Sequence, residues 1–257
     1  MTIYYERDGE GPDLVLVHGW GLHGGVWSEV SATLSGDFRV TTVDLPGHGR
    51  NRRPPYDFTL DTLADAVCEA ASAPAVWVGW SLGGLVALTA AMRQPQNVAR
   101  LVLVNATPRF TQAPGWDCAV APAALRQFAQ DLEQDYSAAL ARFLSLQFGD
   151  SERERDVLRR LRADLLHHGG PEVAALRAGL RILEETDLRA ALPAIRAPAL
   201  VVHGGRDRLV PPQAAEFLAA QLPRARLAVV AGAGHAPFLS HPEAFRHELG
   251  RFLNERI

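Results

Sequence analysis

Short apolar runs alternate with stretches of helical periodicity over the first hundred residues of the chain. The apolar runs are brief and rich in β-branched residues, and they occur at residues 13–17, 39–43, 75–79 and 101–104. Near-continuous apolar runs of this length are typical of strands that are buried on both faces of a parallel sheet. Helical spacing at residues 60–67 and 82–92 separates them. The pattern therefore predicts an α/β fold with a mostly parallel, doubly wound sheet.

The strand pattern stops near Pro108, and the next eighty residues are helical in pattern and rich in charge. Candidate helices lie at residues 122–131, 135–147, 151–166 and 171–185. Apolar strand runs resume at residues 199–202 and 226–230, and an amphipathic helix follows at about 242–255. We therefore predict a core domain of residues 1–108 and 188–257, interrupted by a helical cap of residues 109–187.

The composition of the chain excludes several classes of function. A chain of 257 residues is long enough for one large domain, or for a domain with a sizeable insertion. The net charge of -3 gives no basic surface for nucleic acid. All 26 basic residues are arginine. The absence of lysine excludes a P-loop lysine, a Schiff-base lysine and a Ser-Lys dyad.

The sequence also bears on compartment and on metal binding. The first eight residues are polar and lack the apolar stretch of a signal peptide, and no run approaches the ~18 apolar residues of a membrane span. Cys68 and Cys118 are far apart and match no metal or redox spacing. His167 and His168 have no nearby carboxylate or cysteine in sequence to complete a ligand set. We expect a cytoplasmic monomer with two free thiols and no bound metal.

The clearest chemical motif is G-x-S-x-G at residues 79–83, where a predicted strand gives way to a predicted helix. A nucleophilic serine must stand on a tight turn with its hydroxyl exposed above the sheet, and the flanking glycines let strand and helix approach closely. This predicts Ser81 as a nucleophile. The backbone N–H of Leu82 would then donate to the oxyanion of the intermediate.

A serine hydroxyl needs a base, and the chain order Ser, Asp, His expected for this arrangement is present. Asp207 and His235 each follow a predicted strand, in loops of small residues. Catalytic groups of open α/β sheets collect at that edge of the sheet. Some proteins with this order of catalytic residues place the acid after an earlier strand, but Asn105 occupies that place here. We therefore predict Asp207 as the acid and His235 as the base.

A second glycine motif allows an alternative interpretation. Residues 19–24 fit G-x-G-x-x-G after a strand, and Asp44 follows twenty residues later, as in a dinucleotide-binding fingerprint. That interpretation leaves the serine, aspartate and histidine unexplained. Hydrolases place the second oxyanion donor on the loop after an early strand, so we favour the backbone N–H of Trp20 in that role.

The motifs together resemble a known superfamily, the α/β hydrolases. They are residues 18–22 (His-Gly-Trp-Gly-Leu), 43–47 (Val-Asp-Leu-Pro-Gly), 79–86 (Gly-Trp-Ser-Leu-Gly-Gly-Leu-Val) and 234–238 (Gly-His-Ala-Pro-Phe). More narrowly, these motifs and the cap residues 142–144, 146–147 and 180–188 are similar to the family of biotin-pathway carboxylesterases that demethylate the methyl ester of pimeloyl-acyl-carrier protein. The resemblance extends over nearly the whole chain.

The resemblance implies a binding site and a partner as well. In that family the acyl chain lies in a slot between core and cap, and an acidic carrier protein docks on arginines of the cap. The positions implied for carrier docking are Arg142, Arg155 and Arg159, and those implied for the slot are Trp20, Trp80, Ser81, Leu82 and Phe143. A further arginine usual in the family is Ala138 here, although Arg153, Arg160 and Arg162 could compensate.

The resulting hypothesis is a serine carboxylesterase that uses Ser81, Asp207 and His235 and requires no metal or organic cofactor. Two alternatives stay open at this point. One is a broad-specificity short-chain carboxylesterase, and the other is a non-catalytic ligand-binding homologue, because fold alone does not imply activity. A haloalkane dehalogenase is disfavoured, since it would need an aspartate at position 81.

Overall fold

The computed structural model describes residues 3–52, 57–146, 152, 155–156, 158–160, 163 and 170–255. The strands are β1 (Tyr5–Asp8), β2 (Asp13–Val17), β3 (Arg39–Val43), β4 (Ala75–Trp80), β5 (Val98–Val104), β6 (Ala199–Gly204) and β7 (Ala225–Val230). The helices are α1 (Ser28–Leu34), α2 (Leu60–Ala70), α3 (Leu82–Arg93), α4 (Pro122–Gln134), α5 (Tyr136–Leu146), α6 (Val173–Glu185), α7 (Pro212–Gln221), α8 (Pro237–Ser240) and α9 (Pro242–Leu253). Short 3-10 helices occur at Gly24–Trp27, Pro95–Asn97 and Arg189–Ala194.

The seven strands form one sheet in the order β1-β3-β2-β4-β5-β6-β7. β1 pairs with β3 in the antiparallel direction, and all other pairs are parallel. β4 and β6 are buried along their whole length, as expected for strands covered by helices on both faces. The mostly parallel sheet predicted from the apolar runs is therefore confirmed.

The strand β1 at the edge of the sheet has no counterpart in the predicted pattern. All four of its residues are exposed, and their sequence is Tyr-Glu-Arg-Asp. Such a strand forms because its backbone completes hydrogen bonds with β3, and it has no buried face to produce an alternation of polar and apolar residues. Sequence patterning therefore gives no signal for it.

The predicted cap segment, residues 109–187, lies between β5 and β6 in the chain. Its described helices are α4, α5 and α6, and the predicted helix at 151–166 lies mostly outside the described residues. The backbone N–H of Leu188 donates to the carbonyl of Pro108 at 2.9 Å, so the chain leaves and re-enters the core at one place. The N–H of Glu172 donates to the carbonyl of Gly47 at 2.8 Å and joins the segment to the core.

The parallel strands end at a common edge of the sheet, and this edge collects the candidate site residues. Ser81 follows β4, Asn105 follows β5, and Asp207 comes three residues after β6. His235 lies on the loop after β7. The topology thus assembles four polar side chains from chain segments that are distant in sequence. In the part of the chain described, no helix combines the length and apolar character needed to span a bilayer.

Candidate active site

Ser81 lies on a sharp turn between β4 and α3. Its backbone has φ 55° and ψ −115°, a conformation that non-glycine residues rarely adopt. Such a residue costs about 1–3 kcal/mol and persists only where the surroundings impose it. The surroundings here are glycines: a Cβ on Gly79 would overlap the Gly83 backbone, and one on Gly83 would overlap the carbonyl of Val17. The glycines of the motif therefore permit the close packing that holds Ser81 in this turn.

Asp207 and His235 form a buried hydrogen-bonded pair. His235 Nδ1 lies 2.7 Å from Asp207 Oδ2. The other carboxylate oxygen accepts the backbone N–H groups of Leu209 at 2.8 Å and Val210 at 3.1 Å. Burial by itself raises the pKa of Asp207, but the His235 imidazole and the other donors outweigh it, so the net pKa is below its ordinary value. Asp207 is thus ionised at neutral pH and holds the proton of His235 on Nδ1.

The second nitrogen of His235 is poised as an acceptor. With the proton on Nδ1, Nε2 carries a lone pair. Nε2 is buried and makes no hydrogen bond within the described residues, to Ser81 Oγ or to any other group. The indole of Trp80, the residue before Ser81, donates to the backbone carbonyl of His235 at 2.8 Å. We call the segment between β7 and α8, which carries His235, the histidine loop. This bond fixes the histidine loop to the residue next to the serine.

The loop after β2 lies against Ser81. A Cβ on Gly19 would lie 3.3 Å from the Cβ of Ser81, so the backbone passes directly beside the serine. His18 holds this loop: its Nδ1 donates to the Gly19 carbonyl at 2.8 Å, and its Nε2 accepts the N–H of Leu45 at 2.9 Å. Burial lowers the pKa of His18 to about 3, with a smaller contribution from His48. His18 is therefore a neutral, structural histidine at physiological pH.

Two backbone N–H groups next to the serine have no acceptor within the described part of the chain. They belong to Trp20, on this loop, and to Leu82, the first residue of α3. The first N–H groups of a helix have no intrahelical partner, and they favour negative charge. The structure thus places both sequence-predicted oxyanion donors on segments adjacent to Ser81.

Aromatic side chains of the cap segment pack on Trp20. The indole lies edge-on to Phe143 at 4.8 Å and to Phe128 at 5.5 Å between ring centroids. Its Nε1 donates to the carbonyl of Leu176 at 2.9 Å. A Cβ on Gly179 would lie 2.7 Å from Trp20 Cδ1, so helix α6 touches the indole where a side chain is missing. The predicted slot residue Phe143 is thus beside the oxyanion loop, together with Phe128, which the sequence motifs did not indicate.

A cavity of about 530 Å³ lies elsewhere, between the start of α2 and helix α6. Its wall on α6 includes Ala174, Ala178 and Ile182, which follow one another at a spacing of four residues and form one face. Gly179, which meets Trp20, projects about 100° away from Ala178 around the helix. None of Ser81, Asp207 and His235 lines this cavity. We therefore do not assign the reaction to it.

The predicted docking arginines are exposed where the structure describes them. Arg142 pairs with Asp131 at 3.2 Å, and Arg159 pairs with Asp156. Arg155 is exposed, as is Ala138. Arg160 pairs with Glu29 on the core helix α1 at 3.4 Å, whereas Arg153 and Arg162 lie outside the described residues.

The sequence predicts no bound metal. His167 and His168 lie outside the described residues. Within the described ranges, no group of three or more His, Cys, Asp or Glu side chains is arranged to hold a metal ion.

Comparison with known proteins identifies the family. A model of the alpha/beta hydrolase fold matches residues 12–242. The chain belongs to the α/β-hydrolase family. Its predicted fold class and superfamily resemblance are thereby confirmed.

Within this family the chain is similar to a set of curated esterases. It is 46% identical over 251 residues to the pimeloyl-[acyl-carrier protein] methyl ester esterase of Stenotrophomonas maltophilia (strain K279a), with 98% of this chain and 96% of the relative covered. It is 43% identical over 244 residues to the protein of the same name from Nitrosomonas europaea, covering 95% and 96%. The narrower resemblance drawn from the motifs is confirmed as well.

Solved structures support the same fold. An esterase from Exiguobacterium antarcticum superposes with a TM-score of 0.91 at 25% identity, covering 98% of this chain and 96% of that structure. A hydrolase from Pseudomonas aeruginosa PA01 superposes with a TM-score of 0.84 at 30% identity, covering 98% and 94%.

Proposed function

We propose that this chain is a serine carboxylesterase that hydrolyses the methyl ester of pimeloyl-[acyl-carrier protein] in biotin biosynthesis. The observation that supports this most is the 43–46% identity to esterases of that name over nearly the whole chain. The buried Asp207–His235 pair beside a strained Ser81 supports the hydrolytic chemistry. In this proposal Ser81 is the nucleophile, His235 the base and Asp207 the orienting acid.

The first half-reaction forms an acyl-enzyme. His235 Nε2 takes the proton of the Ser81 hydroxyl as Oγ attacks the ester carbonyl carbon. The carbonyl oxygen becomes an oxyanion and accepts hydrogen bonds from the N–H groups of Trp20 and Leu82. When the tetrahedral intermediate collapses, the bond to the methoxy group breaks, and the imidazolium gives that group its proton. Methanol leaves, while ionised Asp207 stabilises the positive charge on His235.

The second half-reaction repeats the same proton transfers with water. His235 takes a proton from water as its oxygen attacks the acyl carbonyl, and the same two amides hold the new oxyanion. Collapse breaks the bond to Ser81 Oγ, which recovers its proton from His235. The product is the free carboxylate of the pimeloyl chain. Every group in these steps belongs to this chain, the ester or water.

The cap segment supplies the proposed substrate specificity. We propose residues 109–187 as a cap over the core of residues 1–108 and 188–257. The acyl chain would lie against Trp20, Trp80 and Phe143, which provide apolar surface next to Ser81. An acidic carrier protein would dock on Arg142, Arg155 and Arg159, because exposed guanidinium groups bind carboxylates and phosphates well. Consistent with a biotin-pathway enzyme, we propose a cytoplasmic monomer.

The test is a comparison of kcat/KM for pimeloyl-carrier-protein methyl ester and for a short p-nitrophenyl ester, with Ser81→Ala as the control. We expect a strong preference for the carrier-linked ester and loss of both activities in Ser81→Ala. Comparable or better turnover of the small ester would favour a broad-specificity carboxylesterase instead. Full activity of Ser81→Ala would contradict the nucleophile assignment itself.

A further inference from the structure

Asn105 occupies an unusual backbone position beside the proposed triad. It directly follows β5, its φ is 45°, and its side chain is fully buried. Ser81 is the one other non-glycine residue with a positive φ in the described residues. Asparagine adopts this conformation more readily than most residues. The two left-handed positions thus end the neighbouring strands β4 and β5 at the same edge of the sheet.

The Asn105 side chain joins the loops that hold the acid and the base. Its Nδ2 donates to Asp207 Oδ2 at 2.6 Å and to the carbonyl of Gly234 at 3.3 Å. Its Oδ1 accepts the backbone N–H of Gly204 at 3.3 Å. These partners fix the orientation of the amide, because Nδ2 faces two acceptors and Oδ1 faces a donor. Gly234 immediately precedes His235, so one side chain contacts both loops.

The contacts of Asp207 show that one of its two carboxylate oxygens depends on this amide for its position. One carboxylate oxygen accepts two backbone N–H groups from its own loop. The other accepts from His235 Nδ1 and from Asn105 Nδ2. Within the described residues, these are the two side chains that donate to Asp207. Loss of Asn105 would leave Oδ2 held by the imidazole alone.

We propose that Asn105 is a positioning residue for the triad: it holds the Asp207 carboxylate in the orientation that receives His235 Nδ1–H. It also fixes Gly234 and thereby the start of the histidine loop. This proposal rests on the assignment of Ser81, Asp207 and His235 as the catalytic triad. Asn105 does not touch the substrate, and it acts through Asp207.

The groups around Asp207 make a negative charge introduced at position 105 detectable through its effect on His235. The titratable groups that act on Asp207 are His235 and His203 on β6, whose Nε2 lies 4.0 Å from Asp207 Oδ2 and donates to the Val210 carbonyl. Arg206 and Arg208 flank Asp207 in the chain and are exposed. Asn105→Asp replaces the amide at the 2.6 Å contact with a carboxyl group, which adds a negative charge beside Asp207 and His235 once it ionises. The added negative charge favours protonated His235.

The experiment measures kcat and KM against pH for Asn105→Asp, Asn105→Gly and a control, Asn97→Asp. Glycine removes the side chain and still accepts a positive φ, so this variant tests the amide without backbone strain. The Asn97 side chain donates to Gln94 from the 3-10 helix at Pro95–Asn97, which carries none of the proposed triad residues. Asn97→Asp therefore makes the same chemical change away from the site. The 1H NMR resonance of the His235 Nδ1 proton gives a second readout.

We expect Asn105→Asp to move the acidic limb of the kcat/KM profile about one pH unit higher and to shift the Nδ1 proton resonance. We expect Asn105→Gly to lower kcat about ten-fold, as for a lost hydrogen bond to a charged group, with KM nearly unchanged. Asn97→Asp should behave as wild type in both measurements.

An unshifted limb in Asn105→Asp, or wild-type kcat in Asn105→Gly, would overturn the positioning role. The Ser81→Ala control separates this failure from a failure of the proposed function. If Ser81→Ala is inactive and the Asn105 variants are normal, only the role of Asn105 falls. If Ser81→Ala keeps its activity, the triad assignment falls first.

Discussion

The indole N–H of Trp80 donates to the backbone carbonyl of His235 at 2.8 Å. Trp80 is buried and is the residue directly before Ser81, so the bond connects the segment of the proposed nucleophile to the loop of the proposed base. The indole also lies 5.7 Å from the His235 imidazole between ring centroids. Trp80, which the resemblance implied as a substrate contact, therefore supports the histidine loop as well.

Trp80→Phe removes this hydrogen bond and keeps an aromatic ring. We expect a roughly ten-fold lower kcat with a smaller change in KM, because the bond positions the base and not the ester. Steady-state kinetics on a short p-nitrophenyl ester measures both. Trp77→Phe is a matched control, since the Trp77 indole donates to the carbonyl of Asn97, outside the site. A change confined to KM would assign Trp80 to substrate binding alone.

Because the backbone of Ser81 is strained, alanine and glycine at this position should differ in stability although both abolish the nucleophile. Ser81→Ala and Ser81→Gly should both lower kcat, on the order of 10⁶-fold for a serine hydrolase. Glycine accepts φ 55° without a Cβ clash, whereas alanine keeps the strain. We expect the glycine variant to have the larger free energy of unfolding, by about 1 kcal/mol, in urea denaturation. An alanine variant of equal or greater stability would show that the turn is not strained.

Because Gly179 has no side chain, helix α6 can pack directly against Trp20. In Gly179→Val the new Cβ would lie 2.7 Å from Trp20 Cδ1, so the indole or the helix must move. Trp20 carries a proposed oxyanion donor, and loss of one such donor typically costs ~10²–10³ in rate. We expect a loss of kcat toward this range for carrier-linked and small esters alike.

Gly250→Ala is the control for that substitution. Gly250 lies in α9, and a Cβ there meets nothing within 4 Å. Alanine should leave kcat unchanged and raise the free energy of unfolding by up to about 1 kcal/mol. Unchanged kcat in Gly179→Val would mean that the contact between α6 and Trp20 is not needed for the reaction.

Two buried histidines make stability depend on pH. Burial lowers the pKa of His48 to about 4 and that of His18 to about 3, from 6.5. Below pH 6.5 the unfolded chain therefore binds protons that the folded chain does not, so the free energy of unfolding falls as the pH falls from about 6.5 toward 4. Each such group contributes a slope of about 1.4 kcal/mol per pH unit within that window.

We expect His48→Gln to reduce this slope by roughly one group's contribution. Urea denaturation at several pH values between about 4.5 and 6.5 measures it. His247→Gln is the control, since His247 is exposed on α9. An identical slope in wild type and His48→Gln would contradict the burial of a neutral imidazole at position 48.

The proposed carrier-docking arginines predict a substrate-dependent defect. Arg155→Glu combined with Arg159→Glu reverses two exposed charges. We expect at least ten-fold lower kcat/KM for the carrier-linked ester and near wild-type kcat/KM for a small free ester, because charge complementarity governs the encounter with an acidic partner. Arg246→Glu combined with Arg251→Glu makes the same charge change on α9. Equal losses on both esters would assign the cap arginines a structural role.

Much of the fold was predictable because buried strands and turn glycines leave local signals. The predicted strands at residues 13–17 and 39–43 coincide with β2 and β3, and β4 extends one residue beyond its predicted end. The proposed triad residues Ser81, Asp207 and His235 can be selected from their places after β4, β6 and β7, which chain order alone provides. The exposed edge strand β1 gave no such signal.

The rest of the site depends on contacts between distant segments. The position of Asn105 was visible as a strand end, but its hydrogen bonds to Asp207 and Gly234 follow from how three loops pack. Phe128 and Gly179 meet Trp20 only because helices of the cap segment lie over the β2 loop. Hydrophobic periodicity identifies such helices without fixing which residues of another segment they touch.

The hydrogen bond between the Leu188 N–H and the Pro108 carbonyl has a consequence for how such enzymes diversify. β5 and β6 pair directly with each other, although the whole cap segment separates them in the chain. An inserted segment whose two ends meet can be lengthened, shortened or exchanged without parting the strands on either side. Selection can thus change the segment over the proposed site, and with it the accepted substrates, while Ser81, Asp207 and His235 stay where the sheet places them.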